Sequence, residues 1–372
     1  MRKLVLAREQ KAQEIASVKN GVIFIAPLNT YRVKSQTSKT VYHVTNTELG
    51  WRCTCPDHEF RGVRCKHILA VEIRFALHRE VEIRKIEPIN TISECIYCKS
   101  DKIVKDGIRH NKHGDIQRFN CKKCKRYFTI NIGFEKMKHS PQGITTAMQL
   151  YFSGESLRNT ARSLKLIGVD VTHMTIYRWI EKYIELMETY LEKITPSVSN
   201  AWRADELYLK IKGNTKYMYA LMDDETRFWI AQQVAHTKNT ADVSPLLAKG
   251  KEIAGTRPKT SITDGGHNFH TAYEKEFYTV KGLRTKHIKH IRLQGDLNNN
   301  KMERMNGEVR DREKTMRGLK KMNTPILKGY QIYHNYIREH QALGNETPAK
   351  KCGISIGGNN KWITIIQRAN LE

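Results

Sequence analysis

The pattern of hydrophobic and polar residues divides the chain near residue 200. Upstream, the segments 155–166 and 172–194 repeat apolar side chains at the spacing of amphipathic helices, with a glycine-containing turn at 167–171 between them. Downstream, three runs between 201 and 237 have the composition and alternation of strands. The sequence therefore predicts a helical unit followed by a sheet.

Beyond the three strands, helical and strand periods alternate. We expect, in order, a helix at 241–255, a strand at 258–266, a helix at 268–278, a strand at 285–293 and a long helix at 298–320. Three antiparallel strands followed by alternating helices and strands give a mixed sheet with helices on its faces.

The two upstream helices form either a helix-turn-helix or a plain helical hairpin. Thr172 stands where an N-cap is expected, and polar residues follow it. Basic neighbouring segments favour the DNA-binding interpretation. On that interpretation the side chains near the DNA groove are Thr172, His173, Thr175, Tyr177 and Arg178.

Two Cys-x-x-Cys pairs, Cys95 with Cys98 and Cys121 with Cys124, are separated by 22 residues. Such pairs can direct four thiolates to the corners of one tetrahedron, a geometry that Zn²⁺ accepts. The alternative is a set of buried or reactive cysteines, which would require both pairs to arise by chance. We predict a zinc site.

The segment between these pairs is compatible with strands, with turns expected at Asp106–Gly107 and His113–Gly114. A small β unit with little apolar content needs a metal to fold, so we predict a zinc ribbon. Residues 95–138 contain twelve Lys and Arg against four acids, so its surface should suit a polyanion.

A second cluster consists of Cys53, Cys55, Cys65 and His67. Its order, Cys-x-Cys followed by Cys-x-His, resembles the SWIM zinc finger, in which one pair comes off a strand and the other begins a helix. Residues 41–53 and 66–79 are the expected strand and helix. The alternative is a core histidine beside unrelated cysteines. The remaining Cys352 is interpreted as a small buried hydrophobe.

The charge balance points to an acidic partner. Among 372 residues, 64 are basic and 38 acidic, which gives a net charge of +26. Double-stranded DNA is the expected partner, because basic proteins gain affinity by releasing its counterions. A membrane surface would require a basic amphipathic helix or a lipid anchor, and neither pattern occurs. Because the first residues have only a four-residue apolar patch, we expect a cytoplasmic, nucleoid-associated protein without disulfides.

Three acidic residues stand out by position in the downstream half. Asp205 lies in the middle of a predicted strand, Asp264 ends another strand before two glycines, and Glu303 lies in the first turns of the last helix. Each alone is more often a solvated side chain. Brought together, they could hold Mg²⁺, which prefers oxygen ligands and assists phosphodiester chemistry.

Four segments in order resemble the catalytic core of DDE transposases from prokaryotic insertion sequences. They read "WRADELYLKIKGNTKYMYALMD", "SITDGGHNF", "NNNKMERMNGEVRDREKTMRGLK" and "YHNYIREHQALGNETPAKKCGI", and they span about residues 200–353. The resemblance implies an integrase-like, ribonuclease H-like fold and DNA cutting and joining with Mg²⁺ or Mn²⁺. It also implies that Asp205, Asp264 and Glu303 form the catalytic triad.

The same resemblance assigns Arg310, seven residues after Glu303, to a phosphate of the DNA end. Seven residues make two helical turns, so the two side chains share a face. The 38-residue spacer between Asp264 and Glu303 is longer than usual for the family. Glu308 and Glu313 on the same helix are the alternative third acids.

These inferences combine into a multidomain α+β and α/β protein. The expected parts are a SWIM-like finger (1–88), a zinc ribbon (89–140), a helix-turn-helix (141–195), a ribonuclease H-like core (196–353) and a C-terminal tail (354–372). The expected function is transposition of an insertion sequence through its terminal inverted repeats by at least a dimer. The alternatives are a catalytically silent DNA-binding regulator derived from a transposase and a stand-alone ribonuclease.

Overall fold

The computed structural model describes most of the chain. The described residues are 2–18, 21–25, 30–36, 40–47, 50–78, 83–89, 92–111, 114–129, 131–278, 284–289, 300–315, 319 and 321–371. The helices are α1 Arg2–Ser17, α2 Pro56–Arg61, α3 Lys66–His78, α4 Pro141–Ser153, α5 Leu157–Leu166, α6 His173–Leu191, α7 Thr240–Ala254, α8 His267–Phe277, α9 Asn300–Glu313, α10 Pro325–Ile332, α11 Pro348–Lys351 and α12 Lys361–Ala369. The strands are β1 Val22–Ile25, β2 Thr30–Lys34, β3 Val41–Thr47, β4 Gly50–Cys53, β5 Arg84–Ile86, β6 Ile103–Asn111, β7 Gly114–Cys121, β8 Tyr127–Thr129, β9 Ala201–Ile211, β10 Asn214–Asp223, β11 Trp229–Ala235, β12 Thr260–Thr263, β13 Lys286–Lys289 and β14 Ile354–Ile356.

A five-stranded mixed sheet occupies the downstream half, in the order β11-β10-β9-β12-β13. The first three strands are antiparallel, and β12 lies parallel to both β9 and β13. The expected mixed sheet flanked by helices, the ribonuclease H-like arrangement, is confirmed. More than half of the residues of β9 and β10 are buried, which agrees with strands that are covered on both faces.

Helices cover both faces of this sheet. On one face α7 lies so close that a Cβ at Gly250 would stand 2.3 Å from Cδ2 of Leu221, so only glycine allows this approach. On the other face α10 is tied to β11, where Gln331 Nε2 donates to the carbonyl of Trp229 at 2.8 Å. Because side chains alternate along β9, Asp205 points to the face that α9 covers and Glu206 to the opposite face.

Helices α4, α5 and α6 pack together with α12, and each of the first three begins at a serine or threonine cap. The hydroxyls of Ser140, Ser156 and Thr172 accept hydrogen bonds from backbone amides three residues later. The predicted Thr172 cap and the short turn are therefore present, and the caps at Ser140 and Ser156 were not predicted. Recognition of DNA by α6 stays a prediction.

The C-terminal segment is an integral part of this helical unit. Strand β14 pairs in parallel with β5, and Trp362 of α12 stacks on Phe152 and Tyr333 with ring centroids 5.7 and 6.4 Å apart. Residues 354–371 therefore contribute to the same hydrophobic core as α4–α6. The domain boundaries stay predictions.

Upstream, β1-β2-β3-β4 form an antiparallel sheet with α1 and α3 against one face. The single strand expected at 41–53 was wrong in detail, since residues 41–47 and 50–53 are two strands of a hairpin, paired from Val44 with Cys53 to Thr47 with Gly50. Val33 and Val44 are fully buried under the helices. The expected helix is present as α3.

The ribbon is a three-stranded antiparallel sheet, β6-β7-β8. The turn predicted at Asp106–Gly107 was wrong. These residues lie inside β6, where the register shifts between Lys105 and Ile108 and Gly107 takes a φ of 73°. An Asp-Gly pair suits such a bulge as well as it suits a turn. The other predicted turn, at His113–Gly114, falls partly outside the described residues.

No helix in the part of the chain that the structure describes is long and apolar enough to cross a membrane.

Candidate active site and zinc centres

Asp205 lies in the middle of β9 and is held by two hydrogen bonds. Asn306 Nδ2 of α9 donates to Asp205 Oδ2 at 2.8 Å, and the backbone N–H of Glu206 donates to Asp205 Oδ1 at 2.9 Å. Sequence reasoning missed Asn306, whose side chain is 3% exposed. Its position three residues after Glu303 was the available signal, because this spacing places both residues on one side of the helix.

Asp264 follows β12 and precedes α8, so it lies at the carboxyl end of a parallel strand. Its Oδ1 accepts a hydrogen bond from the backbone N–H of Gly266 at 3.1 Å. The intervening Gly265 has a φ of 94°, which other residues rarely adopt. The two glycines thus turn the chain sharply and leave the carboxylate exposed.

The three predicted carboxylates influence one another electrostatically. Burial, together with the negative charges of Asp264, Glu206 and Glu303, raises the pKa of Asp205 to about 6, although the hydrogen bond from the Glu206 amide acts to lower it. Glu303 lies in the first turn of α9 and is exposed. Asp264 and Glu303 therefore lie near enough to Asp205 for their charges to act on it.

The first turn of α9 is fixed to the sheet by a buried charge network. Lys301 Nζ donates to Asp224 Oδ1 at 2.8 Å and to the Asp224 carbonyl at 2.7 Å, and Arg203 pairs with the same carboxylate. Burial opposes ionisation of Asp224, but the two cations outweigh it, so its pKa is lowered. This network, which sequence reasoning missed, sets the position of Glu303 two residues after Lys301.

The alternative third acids have other partners. Glu308 forms a two-pronged ion pair with Arg338, with distances of 2.6 and 3.0 Å. Glu313 Oε1 accepts a hydrogen bond from the backbone N–H of Lys210 at 2.5 Å. Arg310 is exposed and makes no ion pair within the described residues. Glu303 and Arg310 are therefore the pair on α9 that is available to an external ligand.

A cleft of about 450 Å³ opens beside Asp264 on the α7 and α8 side of the sheet. Glu206 and Lys238 form an ion pair in it, and Lys238 also lies 4.7 Å from the ring centroid of Tyr208. The N-termini of α7 and α8 border the same cleft. Of the three carboxylates, Asp264 lines this cleft.

The cysteines of the ribbon form a compact four-thiol cluster. Sγ of Cys95 lies 3.6 Å from Sγ of Cys124, and the same distance separates Cys98 from Cys121. All four sulfurs lie within 4.8 Å of one another. Zn–S bonds of about 2.3 Å imply sulfur–sulfur separations of roughly 3.8 Å in a tetrahedron, so the cluster fits a zinc ion.

The second cluster is equally compact and fully buried. His67 Nδ1 lies 3.9 Å from Sγ of both Cys53 and Cys65, and Cys55 completes the set within 4.8 Å. The ring of Tyr42 packs on His67 at 4.6 Å. The Cys53 and Cys65 thiols also compete for protons, since their mutual hydrogen bond lowers the pKa of Cys65 to about 4 and raises that of Cys53. A dication would relieve this competition, so the donors suit zinc.

The predicted groove residues of α6 divide into two groups. The hydroxyls of Thr172 and Thr175 lie 3.1 Å apart, and that of Thr172 caps the helix. Arg178 is exposed, whereas His173 and Tyr177 are half-buried. Sequence reasoning missed Met174, which is 47% exposed in the first turn. Its apolar character gave no signal for a polar groove.

Family models match two parts of the chain. A DDE domain matches residues 199–340, and a SWIM zinc finger matches residues 42–75. The first range contains the three carboxylates and the second contains the buried Cys₃His cluster. The chain therefore carries a DDE domain together with a SWIM zinc finger, and the predicted resemblance to DDE transposases is confirmed.

Curated relatives are similar over the same region. The transposase for insertion sequence-like element IS431mec of Staphylococcus aureus (strain Mu50 / ATCC 700699) is 30% identical over 142 residues, which cover 37% of this chain and 61% of the relative. The transposase for insertion sequence element IS257 in transposon Tn4003, also from Staphylococcus aureus, matches with the same figures. The chain thus spans about three fifths of the length of these relatives.

Solved structures with a similar part include the HTLV-2 integrase catalytic core domain in complex with magnesium, in its dimeric form. It is 12% identical with a TM-score of 0.31, and the match covers 43% of this chain and 97% of that one. The simian T-cell lymphotropic virus intasome in complex with the PP2A regulatory subunit B56 gamma is 15% identical with a TM-score of 0.30, covering 42% and 55%.

Proposed function

We propose that this chain is the transposase of an insertion sequence, which binds the terminal inverted repeats of its element, cleaves one strand at each end and joins the freed ends to target DNA. The observation that carries the proposal is that Asp264 and Glu303 lie near enough to Asp205 for their charges to act on it, within a matched DDE domain. Two ends must be joined, so we propose a homodimer or a larger assembly on DNA, associated with the nucleoid.

The three carboxylates provide oxygen donors of the kind that Mg²⁺ or Mn²⁺ prefers. A divalent ion held there supplies activation of the attacking oxygen and stabilisation of the leaving oxygen. The chain itself orients Asp205 through Asn306, fixes the first turn of α9 through Lys301 and presents Arg310 to a DNA phosphate.

The chemistry consists of two displacements at phosphorus. In the first, a water oxygen forms a bond to the phosphorus, the bond to the 3′-oxygen breaks, and that oxygen leaves as a 3′-hydroxyl. In the second, the 3′-hydroxyl oxygen attacks a target phosphodiester, whose 5′-side strand departs with its own 3′-hydroxyl. No side-chain nucleophile is required in either step.

We further propose that the ribbon and the α4–α6 unit recognise the element ends, with zinc in both cysteine clusters. The candidate groove residues are Arg178, His173 and Tyr177, together with the exposed Met174. A methionine side chain in the major groove can contact a thymine methyl group, as other apolar side chains do.

The direct test uses purified full-length protein with Mg²⁺ or Mn²⁺ and duplexes that carry the ends of its own element. We expect nicks that leave 3′-hydroxyls, followed by joined products, and loss of both with Asp264→Asn. Asp311→Asn is the matched control, because Asp311 is an exposed carboxylate on α9 that pairs with Lys314 among the described residues. Full cleavage and joining activity of Asp264→Asn would contradict the proposal. Specific binding without cleavage in any metal would favour the transposase-derived regulator, and cleavage confined to RNA–DNA hybrids would favour a ribonuclease.

A further inference from the structure

The sheet β1–β4 has two faces of opposite character. Val33, Val44 and Cys53 point inward, under α1 and α3. Because side chains alternate along a strand, the residues between them point outward. The outward face is not covered by any described helix, and its cations, Arg32, Lys34 and Arg52, are all exposed.

Strand pairing gathers these cations on one surface. Arg32 lies directly opposite His43, and Arg52 lies opposite Thr45, two residues further along the strand that carries His43. The remaining outward positions of the described strands are threonines and aliphatic residues, without a carboxylate. We refer to Arg32, Lys34, His43 and Arg52 as the outer basic face.

The cations of this face have no side-chain partner among the residues that the structure describes. The side chains of Arg32, Lys34 and Arg52 make no ion pair or hydrogen bond to the residues that the structure describes, whereas on the helical side of the same finger Arg8 pairs with Asp57 at 3.2 Å. Unpaired cations on an open, rigid face are suited to an external polyanion.

The spacing suits a nucleic acid backbone. Strands lie about 4.8 Å apart and residues of one face repeat about every 6.8 Å, so Arg32 and Lys34 stand roughly 7 Å apart and Arg32 and Arg52 roughly 12 Å. A DNA duplex carries one negative charge per about 1.7 Å of its axis. Each of the three cations can therefore meet a different phosphate.

The positions of the aromatic residues in the finger indicate whether the outer basic face suits double-stranded or single-stranded DNA. Tyr31, Tyr42 and Trp51 all pack inward against the core, so the described part of the outer basic face has no tyrosine or tryptophan ring on which a base could stack, and its aromatic ring is the imidazole of His43. Proteins that bind single strands rely on such stacking. We propose that the outer basic face of the finger binds the phosphate backbone of duplex DNA without reading its sequence. This inference relies on the proposed function only in taking DNA as the polyanion.

The test compares the full-length protein with the variant R32Q/K34Q/R52Q on a random-sequence duplex, by fluorescence anisotropy over a range of salt concentrations. We expect the affinity at low salt to fall at least about 10-fold. The slope of log K against log salt should become shallower by up to about 2.7, since each lost phosphate contact removes about 0.9.

The matched control is K11Q/R61Q/K66Q, which removes the same charge from the helical side of the finger. Arg61 and Lys66 there already have polar partners, Asp57 and Gln36. Zinc content and the unfolding midpoint verify that both variants fold. Equal losses of duplex affinity in the two variants would overturn the proposal, because the net charge of the protein alone would then explain its binding to DNA.

Two further outcomes would also overturn it. If R32Q/K34Q/R52Q loses as much affinity for single-stranded DNA as for duplex DNA, the assignment of duplex DNA as the ligand is wrong. Retained duplex affinity with lost binding to phosphatidylserine vesicles would identify a membrane surface instead. Cleavage at element ends is measured separately with the unmodified protein, so failure of the proposed function and failure of this face are distinguishable.

Discussion

At the scale of single residues, the position of Asp205 determines what the site can do. A carboxylate in the middle of a strand costs free energy unless it has partners. Here Asn306 and the Glu206 amide supply two hydrogen bonds, while burial and three other carboxylates keep the pKa near 6. A site that disfavours ionisation of its own ligand is stabilised when a dication binds.

Replacing Asn306 with alanine should reduce metal-dependent cleavage by about 10- to 100-fold, the range seen when a residue that orients a metal ligand is removed. The reason is that Asp205 loses its only side-chain donor among the described residues. Cleavage rates measured over a series of Mg²⁺ concentrations should show a raised metal requirement and partial rescue at high metal. An unchanged metal requirement would show that Asn306 does not orient Asp205.

The raised pKa of Asp205 also predicts a pH dependence for the metal-free protein. Its pKa is about 6 when folded and about 3.9 when unfolded, so the folded state binds more protons between these values. Stability should therefore fall as pH rises through this window and stay lower above it. Asp205→Asn should raise the free energy of unfolding at pH 8 by on the order of 1 kcal/mol. Urea unfolding at pH 5 and pH 8 checks this, and an equal effect at both pH values would contradict it.

At the scale of elements, α12 holds the C-terminal segment against elements from earlier parts of the chain. Trp362 packs against both Phe152 and Tyr333, and its indole Nε1 donates to Gln149 Oε1 at 2.9 Å. Arg368 Nε donates to the carbonyl of Glu87, in the segment that leads from the finger to the ribbon. The C-terminal residues thus anchor the segment from which the upstream modules extend.

Trp362→Ala should destabilise the protein by about 3–5 kcal/mol, as expected for removing a large buried aromatic side chain. Lys361→Ala is the adjacent control, because its side chain forms a partly exposed ion pair with Glu339 and a long hydrogen bond to the Ile337 carbonyl. Urea denaturation of both variants gives the comparison. Equal midpoints would mean that α12 contributes little to the core.

At the scale of the whole molecule, the finger and the ribbon, each with a cluster of four candidate metal ligands, are joined to a sheet that has its own hydrophobic core. The finger and the ribbon have small hydrophobic clusters, of which cysteines form a large share. The mixed sheet and the helical unit share one extended core. The modules should consequently depend on metal, and the sheet should not.

Metal analysis of the full chain should give about two zinc ions per protein. Cys121→Ser and Cys65→Ser should each remove one ion and leave the other. Cooperative unfolding of the downstream sheet should survive chelation. A content of one ion, lost in Cys121→Ser but not in Cys65→Ser, would eliminate the finger site.

From the sequence alone we predicted the order of the elements from α5 to α9, both sets of candidate zinc donors and the three acids, because period, ligand spacing and strand ends are local properties of a chain. It misjudged Asp106–Gly107, since the same dipeptide suits a turn or a bulge and only pairing with β7 selects the bulge. The tertiary structure alone decided that Asn306 meets Asp205, that Lys301 and Arg203 share Asp224, and that the C-terminal segment joins the helical core. These contacts link residues about 20 to 200 positions apart, and no local pattern records which distant side chain will lie opposite another.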